Sequence, residues 1–521
     1  MSVSEPSVEK STESQRGSEL ERLRYRRRRD AGIVLALGAL FGVVRLFNQL
    51  PWWVGIAVVL LGALSIRPRI VLIGLVVLLA TRAGVALDGL QPATTRPLDQ
   101  EAIVLVSDPR VSDNGWSAQG ELDGERVFLN VRIGVSSAFG DAAVGDEIVM
   151  SGTLRGSAPE SSWAISRRIV GSVTVADVHD IVPATGVVGA ANALRDAYRE
   201  GVRHFDQGDR ALFTGLVFGD DRNQDPIDTD NFRSAGLSHL LAVSGSNVAF
   251  VLLIFAPLLS RARWVWLRVG GSLVLLVGFG FLTRFEASVS RALVMAGLAL
   301  VAFGLGRRSD AGVVLVPGVG LLLVVDPLLG WSLAFQLSVV ATLGMVVLAP
   351  RIVGVLWGPV WLRSVVGATL GAQVFVAPLL LGVFGRLSLV AVPANVLAGP
   401  AAAGVMMWGL VVGPVAGVVP GPVAVVLHVP SWLLVRWIVL VADVFGSVGV
   451  GSFTVWHLVV GVVGLGVVLA GREGCAGGAL GCWGGVGGCG VGGSVVGAGF
   501  VAVGGVSGFG WVGGWAFGGG V

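Results

Sequence analysis

Apolar runs of about 20 residues, the length of helix that spans a bilayer's hydrocarbon core, recur along this sequence and constrain its fold more than any other feature. They fall at roughly 31–49, 51–66 and 70–90, then at 239–260, 265–283, 288–305, 311–325, 332–349, 365–385, 388–411, 422–446 and 453–471. Only 14% of the 521 residues are charged, against roughly 25% in an average soluble domain. The expected fold class is therefore a polytopic α-helical membrane protein. Between the two sets of runs the pattern changes, and a second, smaller domain is expected there. Cys475, Cys482 and Cys489 all lie near the end, with no CxxC or Cys/His spacing, so neither a metal nor any other cofactor is expected.

Residues 1–30 are polar and read as a disordered basic arm ending in RLRYRRRRD. No cleavable signal is read there. Arginines just before an apolar run hold that end in the cytoplasm by the positive-inside rule; a nucleic-acid patch is the other reading of the same cluster. Arg67-Pro68-Arg69 is a second basic turn on the cytoplasmic side, so the crossings within 31–90 leave residue 91 outside.

Within 100–182 the period becomes two, in AIVLVSD, ERVFLNVRIG, GDEIVMSGTL and GSVTVADV, with Gly, Pro and Asp between. This predicts a small extracytoplasmic antiparallel β domain, and a β-barrel of the oligonucleotide/oligosaccharide-binding (OB) type fits its size. Glu121, Asp123, Glu125, Asp141, Asp146 and Glu147 stand there against Arg126, Arg132, Arg155, Arg167 and Arg168. A groove that tracks phosphates wants positive charge, so docking is as good a role for this domain as strand binding. Residues 186–235 read as an interfacial helical segment, with Arg195, Arg199 and Arg203 on the polar side of ANALRDAYREGVRHF. Residues 236–471 form the multi-span domain. Residues 475–521 are a glycine-rich, uncharged, low-complexity tail with no assignable role.

The multi-span domain opens on GLSHLLAVSGSNVAF, Gly236–Phe250. His239, Ser244, Ser246 and Asn247 are costly at membrane depth without partners, and such groups mark pathways or sites. Ser244-Gly245-Ser246 suits a helix break whose N–H groups face a phosphate; packing between helices is the plainer reading. Arg291, near the start of an apolar run, needs a partner: a phosphate, Glu286, Asp326, or lipid headgroups reached by snorkelling. Gln336, Gln373 and Asn395 are either interhelical ties or neutral, sequence-blind lining of a wet path.

The Gly236–Phe250 stretch resembles the signature of the ComEC-type competence proteins, the inner-membrane channel for incoming single-stranded DNA. TRFEASVSRALVM, with Arg291 and Met295, is similar to the next marked helix of that family. The run from GRRSDAGVV to SVVATLG, with Asp326, Pro327 and Gln336, is similar to the following pair. GAQVFVAPLLLGVFGRLSLVAVPANVLAGP, with Gln373, Asn395 and Pro400, is similar to the last. The resemblance covers about residues 30–470. It implies a DNA path lined by His239, Ser244, Gly245, Ser246, Asn247, Arg291, Gln336, Gln373 and Asn395, with Asp326, Pro327 and Pro400 structural. It also implies partners: single-stranded DNA, the lipid bilayer, an external motor, DNA-receptor proteins and a separate nuclease. Many relatives carry a C-terminal metallo-β-lactamase-like domain, but no HxHxDH motif stands in this sequence. Nuclease activity is therefore not carried over and no enzyme is expected.

Two other functions compete. Broken helices at mid-membrane suit a secondary transporter of a small solute, although no inverted repeat is visible. An intramembrane hydrolase built on Ser244 and His239 would need the two within hydrogen-bond reach. On a regular helix, residues five apart point about 140° away from each other.

Overall fold

The computed structural model describes residues 29–33, 35–38, 68–112, 115–132, 134–220, 222, 226–241, 245–307, 311–388, 390–448 and 453–454. The expectations for the arm at 1–30, the runs at 31–49, 51–66 and 453–471, Ser244 and the tail at 475–521 lie wholly or mostly outside them. The described residues fall within one compact unit, Met1–Val455.

Helix α1, Pro68–Asp88, leads into the sheet domain. Its strands are β1 (Arg96–Leu105), β2 (Arg110–Ser112), β3 (Gly115–Leu122), β4 (Glu125–Arg132), β5 (Glu147–Gly156) and β6 (Ile169–Val182). Alternation decides what is inside. Val127, Leu129 and Val131 of β4 are buried, as are Ile148 and Met150 of β5 and Val173 and Val175 of β6, around Phe139. The β3–β4 hairpin turns on Asp123 (φ 52°) and Gly124 (φ 81°), the pair of positive φ values that a two-residue type I′ turn requires. The sheet order is β1-β5-β6-β4-β3-β2, with β4 and β6 parallel, and β1 also pairs with β3 through Val104↔Glu121 and Leu105↔Gly120. A short helix α2, Ser162–Arg167, joins β5 to β6 and is N-capped by Ser161 Oγ, which accepts from Ala164 N–H.

The helical body comprises α3 (Gly186–Gly201), α4 (Gln207–Phe218), α5 (Pro226–Ser234), α6 (Gly245–Ser260), α7 (Val265–Leu282), α8 (Ala287–Gly304), α9 (Ala311–Val325), α10 (Leu333–Val347), α11 (Ala349–Val355), α12 (Val360–Phe384), α13 (Ala391–Ala416) and α14 (Gly421–Ser447). Five of these, α7, α8, α12, α13 and α14, are long and apolar enough to cross a membrane; α10 and α11 form a pair bent by 40° that makes a sixth if counted as one span. Helix α6, at 16 residues, is shorter than the 239–260 run that predicts it, whereas α9 coincides with its run at 311–325. One core joins Tyr198, Phe213, Phe232, Val248, Leu276, Val289, Val405 and Ile438, drawn from α3 to α8 with α13 and α14. A second joins Leu79 of α1 to Leu315 and Val319 of α9 and Phe335 and Val339 of α10.

The sheet domain meets the helical body through charge. Asp108, between β1 and β2, accepts from Arg195 Nη2 at 2.7 Å and Arg284 Nη2 at 3.1 Å. Asp220, just after α4, accepts from Arg199 Nη2 at 2.7 Å and Arg222 Nε at 2.9 Å. Arg195 also donates to Leu282 O at 2.8 Å and lies over the Phe218 ring, 4.7 Å from its centroid. Arg222 donates to Ala142 O of the sheet domain at 3.1 Å. Arg284 and Phe285 both have left-handed backbone (φ 57° and 48°) in the turn between α7 and α8, a conformation costly for side chains with a Cβ. The Arg284–Asp108 pair helps to hold that turn.

This corrects the sequence reading of α3. Arg195, placed by its spacing on a polar outer side, is 1% exposed and sits inside the protein, and only Arg203 of the three arginines stays exposed. Spacing reports that arginines share a face; here that face is covered by Asp108 and Asp220 instead of headgroups.

Candidate functional site

Helix α5 stops at Ser234, and the next residues close it. Leu237 N–H reaches back to Phe232 O at 2.7 Å around Gly236, whose φ of 72° only glycine adopts freely. Ser388 Oγ donates to Ser234 O at 2.6 Å, tying this end to the segment before α13. Ser238–Leu240 then form one 3-10 turn, with His239 exposed on it, and α6 begins at Gly245.

Gly245 meets Arg291. A Cβ built on Gly245 would lie 2.9 Å from Arg291 Nη2, so glycine is what lets the guanidinium approach the start of α6. Arg291 is 7% exposed. Its Nε donates to Ser338 Oγ of α10 at 2.8 Å and its Nη1 contacts Met295 Sδ at 3.3 Å. Three helices, α6, α8 and α10, thus converge on one buried cation. Among the described residues no carboxylate pairs with it. Asp326, one of the partners expected from sequence, instead accepts from Arg168 Nη2 of the sheet domain at 3.0 Å and from Leu328 N–H at 3.1 Å. Asp326 caps the 3-10 helix Pro327–Trp331 and Pro327 is buried as its first residue, so both position backbone.

The other polar residues divide. Asn247 is buried and its Nδ2 donates to Leu216 O at 3.1 Å, tying α6 to α4. Gln336 Nε2 donates to Gly330 O at 2.7 Å, and Asn395 Nδ2 donates to Ala391 O within its own helix at 2.8 Å. Gln373 is half-buried on α12 and makes no side-chain hydrogen bond among the described residues. Ser246 is exposed, and Pro400 stands exposed inside α13. Pro400 cannot donate to the carbonyl four residues earlier.

The structure therefore joins Gly245 to Arg291 and leaves Gln336, Gln373 and Asn395 at separate places. Ser338, which holds Arg291, escaped the sequence reading. Its only signal is a hydroxyl one turn before Thr342 in the apolar run SVVATLG. Asn247→Leu removes the donor to Leu216 O and should lower stability by about 1–3 kcal/mol, read as a lower unfolding midpoint of the purified protein in detergent. An unchanged midpoint would show that Leu216 O finds water or another donor.

A family model described as Competence protein matches residues 216–474, from the last turn of α4 onward. Over these residues the chain is consistent with a ComEC-type competence protein. The matched stretch contains α5 to α14 and every one of the candidate residues above. No curated protein and no solved structure matches the chain. The match supports a role in competence and DNA uptake for a protein with several apolar helices.

Proposed function

We propose that this chain forms a channel of the cytoplasmic membrane, through which single-stranded DNA enters the cell during natural transformation. The competence-family match over residues 216–474 carries the reading. The buried Arg291 at the start of α6, with which no carboxylate among the described residues pairs, supports it, because a path for a polyanion needs cationic groups whose charge is not already spent. His239, Ser244, Gly245, Ser246, Arg291 and Gln373 are the path residues on this reading. Asn247, Gln336 and Asn395 share in it as residues that hold the path's shape, since protein carbonyls already take their amides.

The N-terminus is then cytoplasmic and the sheet domain extracytoplasmic. The pairing circuit β1-β5-β6-β4-β3-β1, with its single parallel pair β4–β6, supports an OB-type barrel. A docking role for this domain agrees with its buried ion pairs to the helical body. The sequence has no GxxxxGK[ST], so the force comes from an external motor, with DNA-receptor proteins and a separate nuclease as further partners.

Deleting the gene should abolish internalisation of labelled DNA and leave DNA bound at the cell surface unchanged, with recovery on re-expression. A deletion strain that imports DNA normally but loses uptake of a small solute would make the chain a secondary transporter instead.

A further inference from the structure

Among the described residues, no anion balances the charge of Arg291. A helix N-terminus carries the positive end of the macrodipole, equivalent to roughly half an elementary charge. Arg291 sets a full positive charge against that end of α6, with Nη2 2.9 Å from where a Gly245 Cβ would lie. The residue is more than nine-tenths buried, so little water screens the repulsion. Its described partners, Ser338 Oγ and Met295 Sδ, are neutral. Two like charges held together in a protein interior call for an anion between them.

We propose that Gly245, Arg291 and Ser338 form a binding site for one phosphate group, which the incoming strand fills with a phosphodiester. The inference rests on the DNA-uptake reading and adds a named contact to it. Ser338 fixes the guanidinium through Nε and leaves Nη2, on the side of Gly245, to donate to a phosphate oxygen. Backbone and guanidinium together read charge and not base, as a conduit for any sequence must. Unlike a structural ion pair, the site has no resident carboxylate among the described residues to compete with the strand.

The test uses the full-length protein in nanodiscs of zwitterionic lipid, with inorganic phosphate and a fluorescent oligo-dT strand as probes. Phosphate should raise the unfolding midpoint of the wild type above that in chloride at equal ionic strength, and oligo-dT should bind. Arg291→Gln should remove the phosphate effect and weaken oligo-dT at least tenfold. If that variant does not fold, Arg291→Lys keeps the charge but loses the fork held by Ser338, and should weaken oligo-dT three- to tenfold. Gly245→Ala, which crowds Nη2, should act in the same direction as Arg291→Lys. Wild-type affinity and an undiminished phosphate effect in Arg291→Lys and Gly245→Ala would overturn the site while leaving the channel reading intact. A wild type that fails to bind oligo-dT at all would instead count against the channel reading. A phosphate effect that disappears only when anionic lipid is added would assign the site to a lipid headgroup and overturn the proposal.

Discussion

Asp220→Asn should unfold this protein more readily than any surface substitution. The change keeps the shape of the side chain and removes one of the two carboxylates that lie against Arg195 where the sheet domain meets the helical body. Arg199 and Arg222 both donate to Asp220, and Arg195 Nη2 lies 3.8 Å from it. Asp220 is 6% exposed and Arg195 1%, so neither recovers water when the partner is lost. Removing one member of a buried ion pair typically costs about 3–5 kcal/mol, because the remaining charge stays desolvated. Asp108→Asn should have an effect of the same order, since Asp108 is the acceptor for both Arg195 and Arg284. The measurement is thermal unfolding in detergent, followed by tryptophan fluorescence. Asp230, exposed and paired with the exposed Arg233 on α5, is the control, and Asp230→Asn should leave the midpoint where it is. A junction mutant as stable as that control would show that water reaches the network.

The same network predicts acid sensitivity. Burial pushes the Asp108 carboxyl upward, but Arg195, Arg284 and the N–H of Val144 outweigh burial and hold it below its ordinary value. A carboxylate whose folded pKa is depressed contributes its full stability above the unfolded value, about 3.9 for aspartate. That contribution is lost as pH falls from there through the folded value. Stability above about pH 5 should therefore be insensitive to this group. Asp108→Asn should flatten the acid limb of the wild-type curve.

How far the sequence carries can be seen residue by residue. The period-two runs became β1, β4, β5 and β6, because a strand with one buried face must alternate. The apolar runs located the helices: α9 coincides with its run at 311–325, while α6 is shorter than 239–260, since hydropathy does not register where a helix starts within an apolar run. The charged junction was not legible. Arg195 and Asp108 lie 87 positions apart, and Arg284 and Asp108 176 apart. Periodicity says which residues share a face, but what covers that face is a property of the whole fold. Arg291 stood out in sequence as a cation inside an apolar run, yet its neighbours Gly245 and Ser338 come from other helices. Asp326, one of its expected partners on sequence, is taken by Arg168.

The second large effect is expected at the crossing of α3 and α13, where three glycines remove the side chains that would hold the helices apart. A Cβ at Gly413 would fall on the Tyr198 ring, and one at Gly417 on the carbonyl of Ala197. A Cβ at Gly201 would lie 2.9 Å from Gly413 O. Close approach of this kind is how helices associate where the hydrophobic effect is weak. Tyr198 fixes the crossing further, its hydroxyl donating to Leu410 O at 2.9 Å. Gly413→Val places a branched side chain where no space exists, and overpacking of this sort costs about 1–3 kcal/mol or more. The consequence extends beyond the crossing, because α3 also carries Arg195 and Arg199. Pushing it away from α13 would draw both arginines from Asp108 and Asp220. Gly413→Val should therefore lower the amount of folded protein in the membrane by much more than Gly399→Ala in the same helix, since a Cβ at 399 meets nothing within 4 Å. Combining Gly413→Ala with Tyr198→Leu should cost less than the sum of the two single changes, as expected for side chains that compete for one space. Strict additivity, or a Gly413→Val protein that melts like the wild type, would mean that α3 is not held against α13 in this way.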